Sequence, residues 1–244
     1  MSTGMLLSAE AVRPQGEAFP HSLSYQTGSG RIVCLVGPDG AGKTTWLRML
    51  AGVELPAAGR LQLLGLDVMR LDTPAWRRLR CRAAFINASA PLLSVVDGFS
   101  NVMLPALYHR LGTAAAVRVK ALETLEFLGY TGRRDALPAF LNLHERLLLA
   151  IARCLMLSPE LLFLDEPFHM ADDACRRREA EIYLRLKRER NLTVLVATHN
   201  LGFVKRYADD IVFIHPQGVW PFPGWTDFAA ATLPAVRGFL DAAA

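Results

Sequence analysis

Three short stretches of the 244-residue chain hold the side chains that could do chemistry. Gly37, Pro38, Asp39, Gly40, Ala41, Gly42, Lys43, Thr44 and Thr45 fit the spacing G-x-x-x-x-G-K-[ST]. Glycines at such spacing let successive backbone N–H groups turn inward around phosphate oxygens. A helix opening at Lys43 aims its positive end at the same point. Lys43 is then expected to reach the β- and γ-phosphates of a nucleotide, and the Thr44 hydroxyl to ligate Mg²⁺. Asp165, at the end of the run LLFLD, is expected on a strand beside the one that feeds the glycine loop, where its carboxylate can hold Mg²⁺ through water. Glu166 follows it and is placed to polarise an attacking water as general base. His199, just past another apolar run, is read as a γ-phosphate contact. Each stretch alone could be a turn or a polar loop; their occurrence together favours a phosphate site.

The elements that must position these residues are legible as apolar runs. Residues 31–36 (RIVCLV) end at the glycine loop, and a helical pattern follows over 43–50. Residues 161–164 (LLFL), 192–197 (LTVLVA) and 211–214 (IVFI) are three further continuous runs. Runs of this kind, separated by helical segments, predict a mainly parallel sheet buried on both faces. Between residues 87 and 157 strand signals vanish and helical patterns dominate, at 114–128 and 143–157. This predicts a helical insertion in an α/β core. In the tail, Trp220 to Trp225 reads as a turn-rich stretch, followed by a short helix near 234–240. The charge-rich segment 176–190 carries both signs and reads as a solvated helix face.

Composition narrows the classes. Hydrophobic residues make up 52% and charged residues 20%, which suits one globular α/β domain with a sizeable core. A net charge of +4 is compatible with phosphate ligands or an anionic membrane surface, and too small to argue for nucleic acid. Cys34, Cys81, Cys154 and Cys175 are widely spaced and read as reduced cytosolic thiols. No secretory leader is evident at the start of the sequence, and no segment is long and apolar enough to span a bilayer. Work at a membrane would require a partner.

In order and spacing the motifs resemble the ABC ATPase family over nearly the whole chain. GPDGAGKTT looks like its Walker A motif, LLFLDEP like Walker B, THN at residues 198–200 like the H-loop, and Asp172 falls at the D-loop aspartate. The resemblance implies ATP and Mg²⁺ as ligands and a P-loop NTPase core over residues 1–86 and 158–244. It also implies antiparallel N-terminal strands and an α-helical subdomain over 87–157, all in one domain. It further implies a head-to-tail pair of ATPase subunits on integral membrane permease subunits, cytoplasmic and peripheral on the inner membrane. The stretches NVMLPALYH at 101–109 and LPAVRGFL at 233–240 are similar to ATPases of Mla-type phospholipid transport systems, with Lol-type ATPases as near relatives.

The chain departs from the family pattern at three points. Leu141-Asn142-Leu143-His144-Glu145 stands where the family has LSGGQ. Asn142 keeps an amide that could contact a partner's phosphate, His144 could add charge, and Glu145 would repel unless turned away. Asn87 stands at the Q-loop glutamine, one methylene shorter in its reach to Mg²⁺. No aromatic aligns well with the adenine-stacking position; Tyr25 and Phe19 are the candidates, and core packing is the simpler reading of each. An intact set of the chain's own phosphate residues beside a poor signature points to a heterodimer rather than a homodimer. Two alternatives stay open: a degenerate subunit that uses ATP as a structural or regulatory ligand, and a soluble ABC protein acting on nucleic acid.

Overall fold

The computed structural model describes residues 4–167 and 173–242. In chain order its strands and helices are β1 (Leu7–Arg13), β2 (Leu23–Thr27), β3 (Ile32–Val36), α1 (Lys43–Leu50), β4 (Ala58–Leu63), β5 (Leu66–Asp67), α2 (Thr73–Arg82) and β6 (Ala83–Ile86). Then follow α3 (Gly98–Tyr108), α4 (Ala114–Phe127), α5 (Leu143–Leu155), β7 (Leu161–Asp165), α6 (Asp173–Arg190) and β8 (Thr193–Ala197). The chain continues through α7 (Leu201–Tyr207), β9 (Asp210–His215), β10 (Gly218–Phe222), α8 (Gly224–Ala230) and α9 (Pro234–Ala242).

Two sheets form. The larger has the order β10-β9-β3-β8-β7-β6, parallel except where β10 turns back antiparallel on β9. The smaller is antiparallel, in the order β2-β1-β4-β5. The apolar runs are continuous because each central strand is covered on both sides. Ile32, Cys34 and Val36 point into one hydrophobic cluster, whereas Val33 and Leu35 point into the other. Leu162 and Leu164 alternate with Leu161 and Phe163 in the same way, as do Val194 and Val196 with Leu195 and Ala197. One cluster is completed by α5 and α6, and the other by α1 and the small sheet, with Trp46 1% exposed.

Two expectations need correction, and the expected helical insertion gains one element. The strand carrying Asp165 is not beside the strand that feeds the glycine loop: β8 lies between β7 and β3. Residues 98–108, not distinguished in sequence, form α3, started by Asp97, whose carboxylate accepts from Ser100 N at 2.6 Å. The Trp220–Trp225 stretch is part strand, since β10 runs through Trp220, Pro221 and Phe222. Proline is tolerated there because β10 is an edge strand with one unpaired side.

The C-terminal elements dock through aromatics. The Phe213 ring lies 6.0 Å from that of Trp220, 5.5 Å from Phe228 and 5.3 Å from Phe239. At the start of β3, Arg31 grips Asp210 through two bonds of 2.9 and 2.7 Å, and Lys187 meets both oxygens of Asp209 at 2.6 and 2.7 Å. Asp209 also accepts from Ile32 N at 2.7 Å. These ties fix the entry of the strand that leads to the glycine loop. Phe213→Ala should cost about 3–5 kcal/mol in urea denaturation by emptying a site that three elements share; a loss below about 1 kcal/mol would show that the cluster does not hold the C-terminal helices.

Candidate functional site

β3, β7 and β8 all end on one edge of the large sheet, and the three motifs follow their last residues. After β3 the chain makes a tight loop. A Cβ on Gly37 would run into the Ile214 carbonyl oxygen of β9, and a Cβ on Gly42, whose φ is +89°, would run into the ring of Phe19. Only glycine fits at either place. Ala41 N closes the turn on Pro38 O at 3.2 Å. No side chain caps the start of α1, so its first N–H groups are presented to the loop's interior.

Lys43 is 8% exposed and curls over this loop, donating to the carbonyls of Gly37 and Pro38 at 3.1 and 3.2 Å. Its ammonium lies 3.7 Å from the fully exposed carboxylate of Asp39. Thr44 Oγ1 donates to Asp165 Oδ1 at 2.9 Å, across the end of the intervening β8. Thr45 sits half-buried beside it.

Glu166 leaves the strand direction abruptly. Its φ is +45°, a left-handed conformation that costs a non-glycine residue energy and tends to occur at functional positions. Its N–H stays in the sheet, donating to Ala197 O at 2.9 Å. The turn carries its carboxylate to His199, where Oε2 and Nδ1 lie 2.9 Å apart. Asn200 then caps α7 by accepting from Phe203 N at 3.0 Å, which sets the loop that holds His199. The two phosphate-site expectations on β7 and the one after β8 are thus brought together with the glycine loop.

Other expected residues fall differently. Asn87 lines a small crevice with Asp165 and Pro167, but its Oδ1 accepts from both Ser89 N and Ser89 Oγ, at 3.1 and 2.8 Å. Asn142 is the N-cap of α5: its Oδ1 accepts from Glu145 N and Glu145 Oε2 accepts from Asn142 N, both at 2.8 Å. The Glu145 carboxylate is therefore turned onto its own helix. Asp172 lies outside the described residues. Tyr25 is committed to the sheet, its hydroxyl donating to Asp210 at 2.9 Å while burial and the Asp210 charge push its phenol far up. Phe19 is the aromatic at the loop, half-buried against Gly42. The sequence named it beside Tyr25 without separating the two, because its position follows from how the segment between β1 and β2 folds over.

These groups fit a Mg-nucleotide. A hydroxyl and a carboxylate within 2.9 Å are hard oxygen donors of the kind Mg²⁺ takes, and Mg²⁺ is usually held by one or two such groups together with phosphates. The uncapped helix start and glycine loop supply N–H donors to phosphate. The fold and the site define a P-loop nucleotide-binding protein.

The ABC transporter family pattern matches residues 20–169. The chain is 32% identical over 201 residues to the lipoprotein-releasing system ATP-binding protein LolD of Bdellovibrio bacteriovorus, covering 81% of this chain and 89% of that one. It is also 32% identical over 193 residues to the methionine import ATP-binding protein MetN of Rhodopseudomonas palustris, covering 79% of this chain. The match spans about half, 52%, of that relative's length. Its fold superimposes with a TM-score of 0.78, at 22% identity, on a dimeric ATP-binding cassette in a post-hydrolysis state bound to ADP and Pi, covering 89% of this chain and 98% of the cassette. The chain belongs to the ABC transporter ATP-binding family.

Thr44→Val keeps the side chain's shape and removes the hydroxyl. It should weaken Mg²⁺-dependent nucleotide binding by about tenfold or more while leaving binding in EDTA unchanged. Equal losses with and without Mg²⁺ would assign Thr44 a structural role instead.

Proposed function

We propose that the chain binds Mg-ATP at residues 37–45 and hydrolyses it as the energising subunit of an ABC transporter, driving separate membrane permease subunits. The observation that carries this is the strained Glu166, bonded to His199 at 2.9 Å beside the Thr44–Asp165 pair. In this reading Lys43 neutralises the β- and γ-phosphates once it leaves the loop carbonyls. Thr44 and Asp165 hold Mg²⁺, which supplies charge neutralisation on the phosphates. Glu166 accepts the proton of the attacking water, and His199 orients Glu166 and reaches the γ-phosphate. Phe19, lying on Gly42, is the side chain best placed to pack against the base.

The permease contact is assigned to a cleft of about 380 Å³ lined by Val53, Arg80, Phe85, Pro105, Arg153 and Leu157. Leu104, Leu107 and Tyr108 are exposed on α3 beside it, Tyr108 at 76%. Among the described residues no helix is long and apolar enough to cross a membrane, which is in keeping with a separate permease and a peripheral place on the cytoplasmic side of the inner membrane. Lipid or lipid-modified cargo is the finer reading, supported by the Mla-like stretches at 101–109 and 233–240 and by the lipoprotein-releasing relative.

The second subunit of the pair is read as a different ABC ATPase. The start of α5, where a partner's γ-phosphate would dock, is filled by the Asn142–Glu145 capping box. A chain with a complete phosphate site of its own and a closed start to α5 needs a partner with an open one. The same closure favours one further reading, in which ATP serves as a structural ligand with little turnover.

Lys43→Ala should abolish ATP binding by the assembled complex. Glu166→Gln should retain bound ATP while turnover falls by about 10²–10⁴-fold; unchanged turnover in that variant would refute the general-base assignment. A stable homodimer of this chain with full turnover would refute the heteromeric pairing.

A further inference from the structure

Between Asp72 and Glu123 the sequence holds seven arginine and lysine side chains and a single acid, Asp97. That is a surplus of six positive charges in a chain whose net charge is +4, so the remainder of the sequence is net acidic. Four of the seven cations are engaged. Arg80 donates to the carbonyls of Ala51 and Gly52, and Arg82 meets Glu160 at 2.5 Å. Arg118 lies 5.1 Å from the centre of the Phe99 ring, and Lys120 donates to Met156 O at 2.9 Å. Asp97 is engaged too, as the N-cap of α3, and Asp72 caps α2. Arg77, Arg78 and Arg110 are exposed and make no hydrogen bond or ion pair among the described residues.

The fold brings these three to one side. Arg77 and Arg78 share a face of α2 with Cys81, which lies four and three residues further on. Cys81 Sγ is 3.5 Å from His109 Nε2, so this face abuts the end of α3. Arg110 follows His109 directly, and its left-handed φ of +54° turns the chain out of the helix. The Tyr108 ring stands edge-on to His109 with centroids 5.0 Å apart, and Leu111 is exposed just beyond Arg110. Arginine stems and a tyrosine ring are side chains that settle at the headgroup level of a bilayer, apolar part inward and polar end in water. A nucleic acid would match the charge and leave Leu107 and Leu111 uncovered.

We propose that Arg77, Arg78 and Arg110 form a contact surface for the anionic lipid headgroups of a bilayer leaflet. That the surface faces a leaflet in the working complex rests on the permease contact assigned above, since that cleft opens between α2 and α3; the affinity for anionic lipid does not. Each arginine close to an anionic leaflet strengthens partitioning by about fivefold, and the attraction fades within a Debye length. Three such groups bind weakly when the chain is free. In a chain already held at the membrane the same groups act at high effective concentration and set its tilt against the leaflet.

The test sediments the full chain with vesicles of phosphatidylcholine alone, or containing about 30% phosphatidylglycerol, at about 5 mM lipid and low salt. Binding should require phosphatidylglycerol and should disappear at about 0.5 M salt. Arg110→Gln should weaken it about fivefold, and Arg77→Gln with Arg78→Gln about tenfold or more. Arg188→Gln with Lys205→Gln removes the same charge from exposed positions on α6 and α7, and should leave binding within about twofold. Equal losses in the two double variants would show attraction to net charge alone and overturn the assignment. Binding that ignores phosphatidylglycerol, or no binding to either vesicle, would overturn it as well. Tighter binding to a double-stranded oligonucleotide at the same salt would give the surface to nucleic acid instead. None of these readouts needs Mg-ATP or a permease, so titration with Mg-ATP reports on the glycine loop separately and the two readings can fail independently.

Discussion

The 2.9 Å bond from Thr44 Oγ1 to Asp165 Oδ1 is the contact on which the rest of the site depends. It joins the first turn of α1 to the end of β7 over the top of the intervening β8. Both groups are hard oxygen donors of the kind Mg²⁺ takes. Every other chemical residue is placed relative to this pair: Lys43 one residue before Thr44, Glu166 one residue after Asp165, and His199 at the end of the strand between them. Because β8 pairs with β7, the Glu166 turn meets the β8 end that leads to His199.

Burial on both faces holds the strands of this sheet in register. Alternate residues of β3, β7 and β8 fill two separate hydrophobic clusters, so neither face of the sheet can shift without opening a core. The three strand ends are held level by that packing. Directly after the rigid β7 the backbone turns left-handed at Glu166, which carries its carboxylate toward His199. At the start of α5 the sequence satisfies the helix internally with a capping box and braces His144 on Glu179, leaving a closed and charged turn.

The placement of residues that directly follow a strand is legible in the sequence. The glycine loop, the Asp165–Glu166 pair and His199 follow runs whose length and apolarity already mark them as buried strands, and the chemistry of each motif depends on neighbours a few positions away. Residues whose role depends on long-range packing were not readable. The place of β8 between β3 and β7 is a property of crossovers, not of any run. Phe19 reaches Gly42 only because the segment between β1 and β2 folds over the loop. Glu179 sits in a segment whose composition suggests a solvated face, yet it is buried against α5. Pro221 marks a turn in sequence and an edge strand in three dimensions, since the unpaired side of β10 forgives a missing N–H.

The central claim is that the edge formed by β3, β7 and β8 holds the phosphates of one Mg-nucleotide. Isothermal titration of the folded chain with ATP, in Mg²⁺ and again in EDTA, tests it most directly. The account predicts saturable binding of one ATP per chain that is stronger in Mg²⁺. A flat titration in both conditions, from protein whose fold is verified by its thermal transition, would contradict it.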